Sequence, residues 1–115
     1  MGCALACLAM IKRISFKEAS RLFPAGTRGL SPDGMVRAAR KLGLRVKYNY
    51  DKVMALPADR PAVVVYEWPE WPNHFHCVVW DPMRKKFLDP AGTCRSKQWI
   101  IEQWKKGSCE MCVAQ

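Results

Sequence analysis

The apolar residues of this chain change their spacing at Arg45, and that switch constrains the fold more than any other feature. Before it they recur every three or four positions, as one face of a helix requires. Residues 3–13 read as a helix with Leu5, Leu8, Ala9 and Ile11 available for a buried face. Ser15 stands as N-cap of a second helix over 16–23, with Glu18 at the capping-box position and Pro24-Ala25-Gly26-Thr27 ending it. Ser31-Pro32-Asp33 starts a third, because a cap followed by proline suits the first helical turn. Met35, Val36, Ala38, Ala39 and Leu42 then keep helical spacing until Gly43 supplies the stop.

After Arg45 the period becomes two. Residues 45–50 alternate polar and apolar, as a half-buried strand does. A short segment at 53–56 precedes Pro57 and Pro61, and the β-branched run 62–66 reads as a central strand. A loop over 67–73 carries Trp68 and Trp71, 75–80 is a further strand, 81–84 a turn and 86–88 the returning strand. Ser96 caps a last helix through Trp99, Ile100 and Trp104, stopped by Gly107, and 109–114 reads as a final strand. A chain of 115 residues suits one domain, here spanning 1–115. The expected class is α+β: a helical layer first, then a mostly antiparallel sheet.

The formal net charge of +9 favours acidic partners, nucleic acid among them, although no nucleic-acid motif accompanies it; a solvated basic surface is the plainer account. The apolar run from Cys3 to Ile11 is too short to span a bilayer, and its basic residues, Lys12 and Arg13, follow it rather than precede it. Ala6 occupies the position where a myristoylation motif carries Ser or Thr. A cytoplasmic protein with reduced thiols is expected, so the six cysteines are not read as a disulfide framework.

Cys3 begins a helix, where free N–H groups and the macrodipole favour a thiolate. Cysteine catalysis needs a histidine to take and return the proton and a group to orient that histidine. The two histidines, His74 and His76, lie two apart on one expected strand, so periodicity does not choose between them. Hairpin arithmetic does. With the turn centred near Met83 and Arg84, His76 falls opposite Asp89 or Pro90, and His74 opposite about Gly92. Asp81 is five residues along the same strand, roughly 16 Å away and out of hydrogen-bond reach. Cys3, His76 and Asp89 are the candidate catalytic set.

Cys3-Ala4-Leu5-Ala6-Cys7-Leu8-Ala9-Met10 resembles the Cys-Gly-x-Ala-Cys-Leu-x-Met signature of the bacteriocin-processing (double-glycine leader) peptidases and their stand-alone relatives. His76-Cys77-Val78-Val79 and Asp89-Pro90-Ala91 resemble that family's His-Phe-Val-Val strand and Asp-Pro block, and 29–44 resembles its helix ending in Leu-Gly-Leu. The likeness runs in order through nearly the whole chain. It implies a papain-like cysteine peptidase fold with Cys3 as nucleophile, His76 as general base and Asp89 as orienter. It also implies a peptide or protein substrate that is glycine-rich at the cleavage site, and no cofactor. The chain departs from the family in carrying Ala4 where the family has Gly. The glutamine that precedes the nucleophile in papain-like enzymes and helps form the oxyanion hole has no counterpart in Met1-Gly2, so either the chain is truncated, another donor substitutes, or activity is low or absent.

Trp68, Trp71 and His74, just before the candidate base, are expected to line the substrate cleft, the alternative being aromatic cover for a core edge. Cys7 reads as core packing. Cys109-Glu110-Met111-Cys112 is a lone C-x-x-C, better suited to a packed terminal strand or an incidental disulfide than to zinc, and no metal is assigned. The competing functional class is a papain-like domain with an impaired site, acting through its basic face as a binding or inhibitory protein on a partner protein or nucleic acid.

Overall fold

In the computed structural model, residues 2–49, 56–67, 70–71, 74–92, 96–105 and 109–115 are described. The segment expected at 53–56 lies outside this set apart from Leu56; so do Trp68, Cys94 and the Gly107 stop. Among the described residues there are four α-helices and five strands: α1 (Cys3–Lys12), α2 (Phe16–Leu22), α3 (Pro32–Lys41), β1 (Val46–Asn49), β2 (Ala62–Glu67), β3 (Phe75–Asp81), β4 (Lys86–Leu88), α4 (Lys97–Lys105) and β5 (Cys109–Ala114). Local chemistry sets the helix ends. Ser15 and Ser31 each accept a hydrogen bond from the N–H three residues on, at 3.0 and 3.1 Å. The reciprocal half of a capping box is not made at α2, because the Glu18 carboxylate pairs with Arg21 instead. α1 stops at Arg13, whose φ of 64° is left-handed, and Gly43 follows α3 with φ 83°. Between α2 and α3 the residues expected to end a helix form a 3₁₀ turn, Pro24–Arg28.

The sheet order is β1-β5-β2-β3-β4, and every pairing is antiparallel. The C-terminal strand thus lies between β1 and β2. Each of its registers joins residues far apart in sequence, such as Val63 with Cys112 and Tyr48 with Cys112. Both sheet faces are covered. Leu5, Leu8 and Met35 of the N-terminal helices pack with Val63, Cys77 and Val79 on one face. Ile100 of α4 closes the other with Val64, Tyr66 and Val78. β2 is buried on both sides over Ala62–Val64, as is β3 over Cys77–Trp80, which accounts for the β-branched run Val63-Val64-Val65. The molecule is therefore an α+β domain with a helical layer on one face of an antiparallel sheet and a single helix on the other.

The hairpin that carries the candidate base closes as Asp81↔Lys86, Trp80↔Phe87 and Val79↔Leu88. Asp81 Oδ1 accepts from the N–H groups of Met83 and Arg84 at 3.0 and 3.3 Å, and Lys85 turns left-handed at φ 54°. The turn is centred between Met83 and Arg84, as expected, but that centre, extended beyond Leu88, sets Ala91 opposite His76 and Asp89 opposite Val78, not Asp89 or Pro90 opposite His76. Asp89 itself lies past the end of β4, so its contact with His76 is not a ladder pairing.

Among the described residues no helix is long and apolar enough to cross a membrane.

Candidate active site

α1 delivers Cys3 to the sheet. The helix packs across β3, and its buried residues Leu5, Cys7 and Leu8 leave Cys3 at the leading end, half-buried. Its N-cap is Gly2, which has no side chain to bond the first-turn N–H groups. A side chain at Gly2 would meet the Phe16 ring at 2.7 Å, so glycine allows the close approach of α2 to the start of α1.

Two consecutive residues of β3 converge on the Cys3 thiol. The side chains of His76 and Cys77 both act on the acidity of Cys3. Strand alternation sets Cys77 on the face covered by α1–α3, and sets His76 with Tyr66 on the face covered by α4. β4 pairs with Val79–Asp81, so that edge of β3 carries no β4 ladder beside His76 and Cys77.

The histidine is held on its far side. His76 Nε2 lies 2.6 Å from Asp89 Oδ2, with side chains 12% and 1% exposed. Asp89 Oδ1 accepts from the Ala91 N–H at 2.8 Å, and the Asp89 carbonyl accepts from Gly92 at 3.0 Å, where φ is 80°. With Nε2 committed to the carboxylate, Nδ1 is the ring nitrogen left for Cys3. Tyr66, the cross-strand partner of His76, meets its ring edge-on at 5.5 Å and meets Trp99 of α4 at 5.3 Å. The histidine is thereby braced from a carboxylate, a strand and a helix.

Electrostatics follow from these contacts. The Cys77 hydrogen bond, with His76 second among the lowering contacts, brings the Cys3 thiol down to about 4, against the upward push of burial. His76 is raised by its bonds to Cys3 and Asp89, against burial. The Cys3 bond and burial hold Cys77 well above the ordinary thiol range, so it remains a neutral donor. Burial does the same for Cys7, which lies in the core. Both shifts favour the charged pair, a thiolate beside an imidazolium.

A cavity of about 320 Å³ opens beside Cys3. One wall is Leu30, Pro32 and Met35 from the start of α3; the sheet side is Cys77, Val65 and Glu110, with Tyr48 and Phe75 at its margins. Trp71 is 60% exposed and His74 is exposed, and neither lines this cavity. The His74 N–H donates to the Trp71 carbonyl at 3.1 Å, before β3 begins. Trp68 lies outside the described residues. Alternation along each strand marks Val65, Cys77 and Glu110 as positions of one face, but only the inter-strand register aligns them. Cys112 of the C-x-x-C is buried in β5, which pushes its thiol up to about 12. Among the described residues no group of His, Cys, Asp or Glu is arranged to hold a metal ion.

No protein-family model matches the chain, and no curated protein matches it significantly.

Proposed function

We propose that this protein is a papain-like cysteine peptidase, related to the double-glycine leader peptidases, with Cys3 as nucleophile, His76 as general base and acid, and Asp89 as the group that orients His76. The observation that carries this reading is the 2.6 Å bond between His76 Nε2 and Asp89 Oδ2, which leaves Nδ1 as the ring nitrogen open to Cys3. It fixes the tautomer and turns the imidazole toward the sulfur. The thiolate attacks a peptide carbonyl, and the His76 imidazolium gives its proton to the departing amine. The neutral imidazole then takes a proton from the water that hydrolyses the thioester. The α1 N-terminus, with first-turn N–H groups free of a side-chain cap, supports the negative charge that develops on the carbonyl oxygen.

The test is covalent labelling by a thiol-directed peptidyl inhibitor, with the modified residue located by mass spectrometry. Labelling is expected at Cys3 and is lost in Cys3→Ala and His76→Ala. Undiminished labelling in both variants overturns the assignment.

One observation favours a second reading, a binding or inhibitory protein. The net charge is +9, and Arg84, Lys85 and Lys86 stand exposed together around the β3–β4 turn. That reading expects salt-sensitive binding of an acidic protein or nucleic acid that persists in Cys3→Ala.

A further inference from the structure

Across the sheet, the registers Val65↔Cys77 and Val65↔Glu110 set three residues in one row on three adjacent strands. Directly opposite residues share a face, so Cys77, Val65 and Glu110 all point toward the helical layer and into the cavity beside Cys3. Two inter-strand steps separate Cys77 from Glu110, about 10 Å. The cavity therefore holds the nucleophile and Cys77 on one side and a carboxylate two strands away on the other.

Val65, Leu30, Met35 and Phe75 supply apolar lining, with Ser31 also on the wall. Among the described residues, Glu110 is the one carboxylate lining the cavity, and no lysine or arginine lines it. Its carboxylate is half-buried, and Oε1 accepts from the Tyr48 hydroxyl at 2.8 Å. Tyr48 comes from β1, where its register with Cys112 sets it diagonal to Glu110 on the same face. Among the described residues no lysine or arginine pairs with Glu110, although the chain is strongly basic. A carboxylate withdrawn from solvent favours a cation, and an apolar channel favours a methylene stem leading to it.

We propose that this cavity is a specificity pocket for a lysine or arginine side chain of the substrate, its stem lying along Val65, Leu30 and Met35 and its charged head meeting Glu110. This rests on the reading of Cys3 as the nucleophile, and gives that reaction a substrate class: peptides carrying a basic residue close to the scissile bond. Arginine reaches the carboxylate with a planar fork and lysine with a point charge, so both fit and arginine has the stronger geometric match.

The test measures occupancy separately from cleavage. Cys3 is alkylated with iodoacetamide in the presence of N-acetyl-lysine methylamide, or of the norleucine analogue, which has the same stem without the charge. The lysine compound is expected to half-protect Cys3 at a concentration at least tenfold lower than the norleucine compound. Glu110→Gln keeps an oxygen that accepts from Tyr48, and is expected to abolish the difference while circular dichroism stays native. Tyr48→Phe removes the hydroxyl but leaves the carboxylate, and is expected to retain the lysine preference. Equal protection by the two compounds, protection by neither, or a preference that survives Glu110→Gln overturns the proposal. Cleavage of lysine-containing peptides is scored in parallel. Protection without cleavage leaves the pocket standing and removes the hydrolase; cleavage without lysine preference does the reverse.

Discussion

His76 Nε2 and Asp89 Oδ2 lie 2.6 Å apart although the hairpin ladder does not extend to either residue. β4 ends at Leu88, and the Asp89-Pro90 step leaves the strand. The carboxylate, 1% exposed and fixed by the Ala91 N–H, reaches back diagonally to the ring. Its position is thus independent of strand pairing, and Asp89→Asn keeps the shape while removing the charge. That variant is expected to lower the rate of Cys3 acylation by a peptidyl inhibitor by about 10²–10⁴-fold, with unfolding midpoints close to those of the parent. Stopped-flow or quenched labelling reads the rate.

The thiolate and imidazolium exist together only within a pH window. Cys3 titrates at about 4 and His76 above its ordinary 6.5. Below the first value the sulfur is protonated; above the second the imidazole has lost the proton it gives to the leaving amine. Peptidyl acylation is therefore expected to rise with a midpoint near pH 4 and to fall on an alkaline limb beyond 6.5, each belonging to the coupled pair. Iodoacetamide needs no proton donor, so its acid limb is shared and its alkaline limb is not. A first midpoint near 8–9, the range of an ordinary thiol, contradicts the assignment.

Cys77 is expected to act on the reaction through the acidity of Cys3. Its side chain is the largest influence lowering the titration of Cys3. Cys77→Val fills the buried site without a donor and is expected to raise the acid midpoint by about one unit or more, with the fold retained. Cys77→Ser restores a donor and is expected to bring the midpoint back down. The pH profile of alkylation distinguishes this from a packing effect, which lowers stability without moving the midpoint.

α4 stands between solvent and the Tyr66 ring that braces His76. Ile100 is fully buried at the centre of that contact. Ile100→Ala is expected to cost about 2–5 kcal/mol of unfolding free energy, measured by chemical denaturation, because it leaves a cavity against Val64 and Val78.

Much of the chain's local order is legible in its residues. The serines before α2 and α3, the proline opening α3, the glycine after it and the β-branched run of β2 act through neighbours a few positions away. Their effects therefore survive reading in one dimension. The candidate nucleophile and base are legible for the same reason, as a cysteine opening a helix and a histidine on a strand. The hairpin centre between Met83 and Arg84 is legible too, but that centre pairs His76 with Ala91, and the Asp89 contact is made from beyond the end of β4.

What only the tertiary structure decided is which distant residues share a row. β5 enters the sheet between β1 and β2, and no local signal announces that insertion, because its pairings join positions 43 to 68 residues apart. It carries Glu110 to the end of the cavity and Cys112 into the core. Cys77, a single strand position by sequence, becomes a donor to the nucleophile once α1 lies across β3. Trp71 and His74, placed beside the base by chain order, do not line the cavity. Sequence proximity determined which residues begin and end the elements; the non-local registers determined which of them meet at Cys3, since a strand fixes its own alternation but not its neighbour.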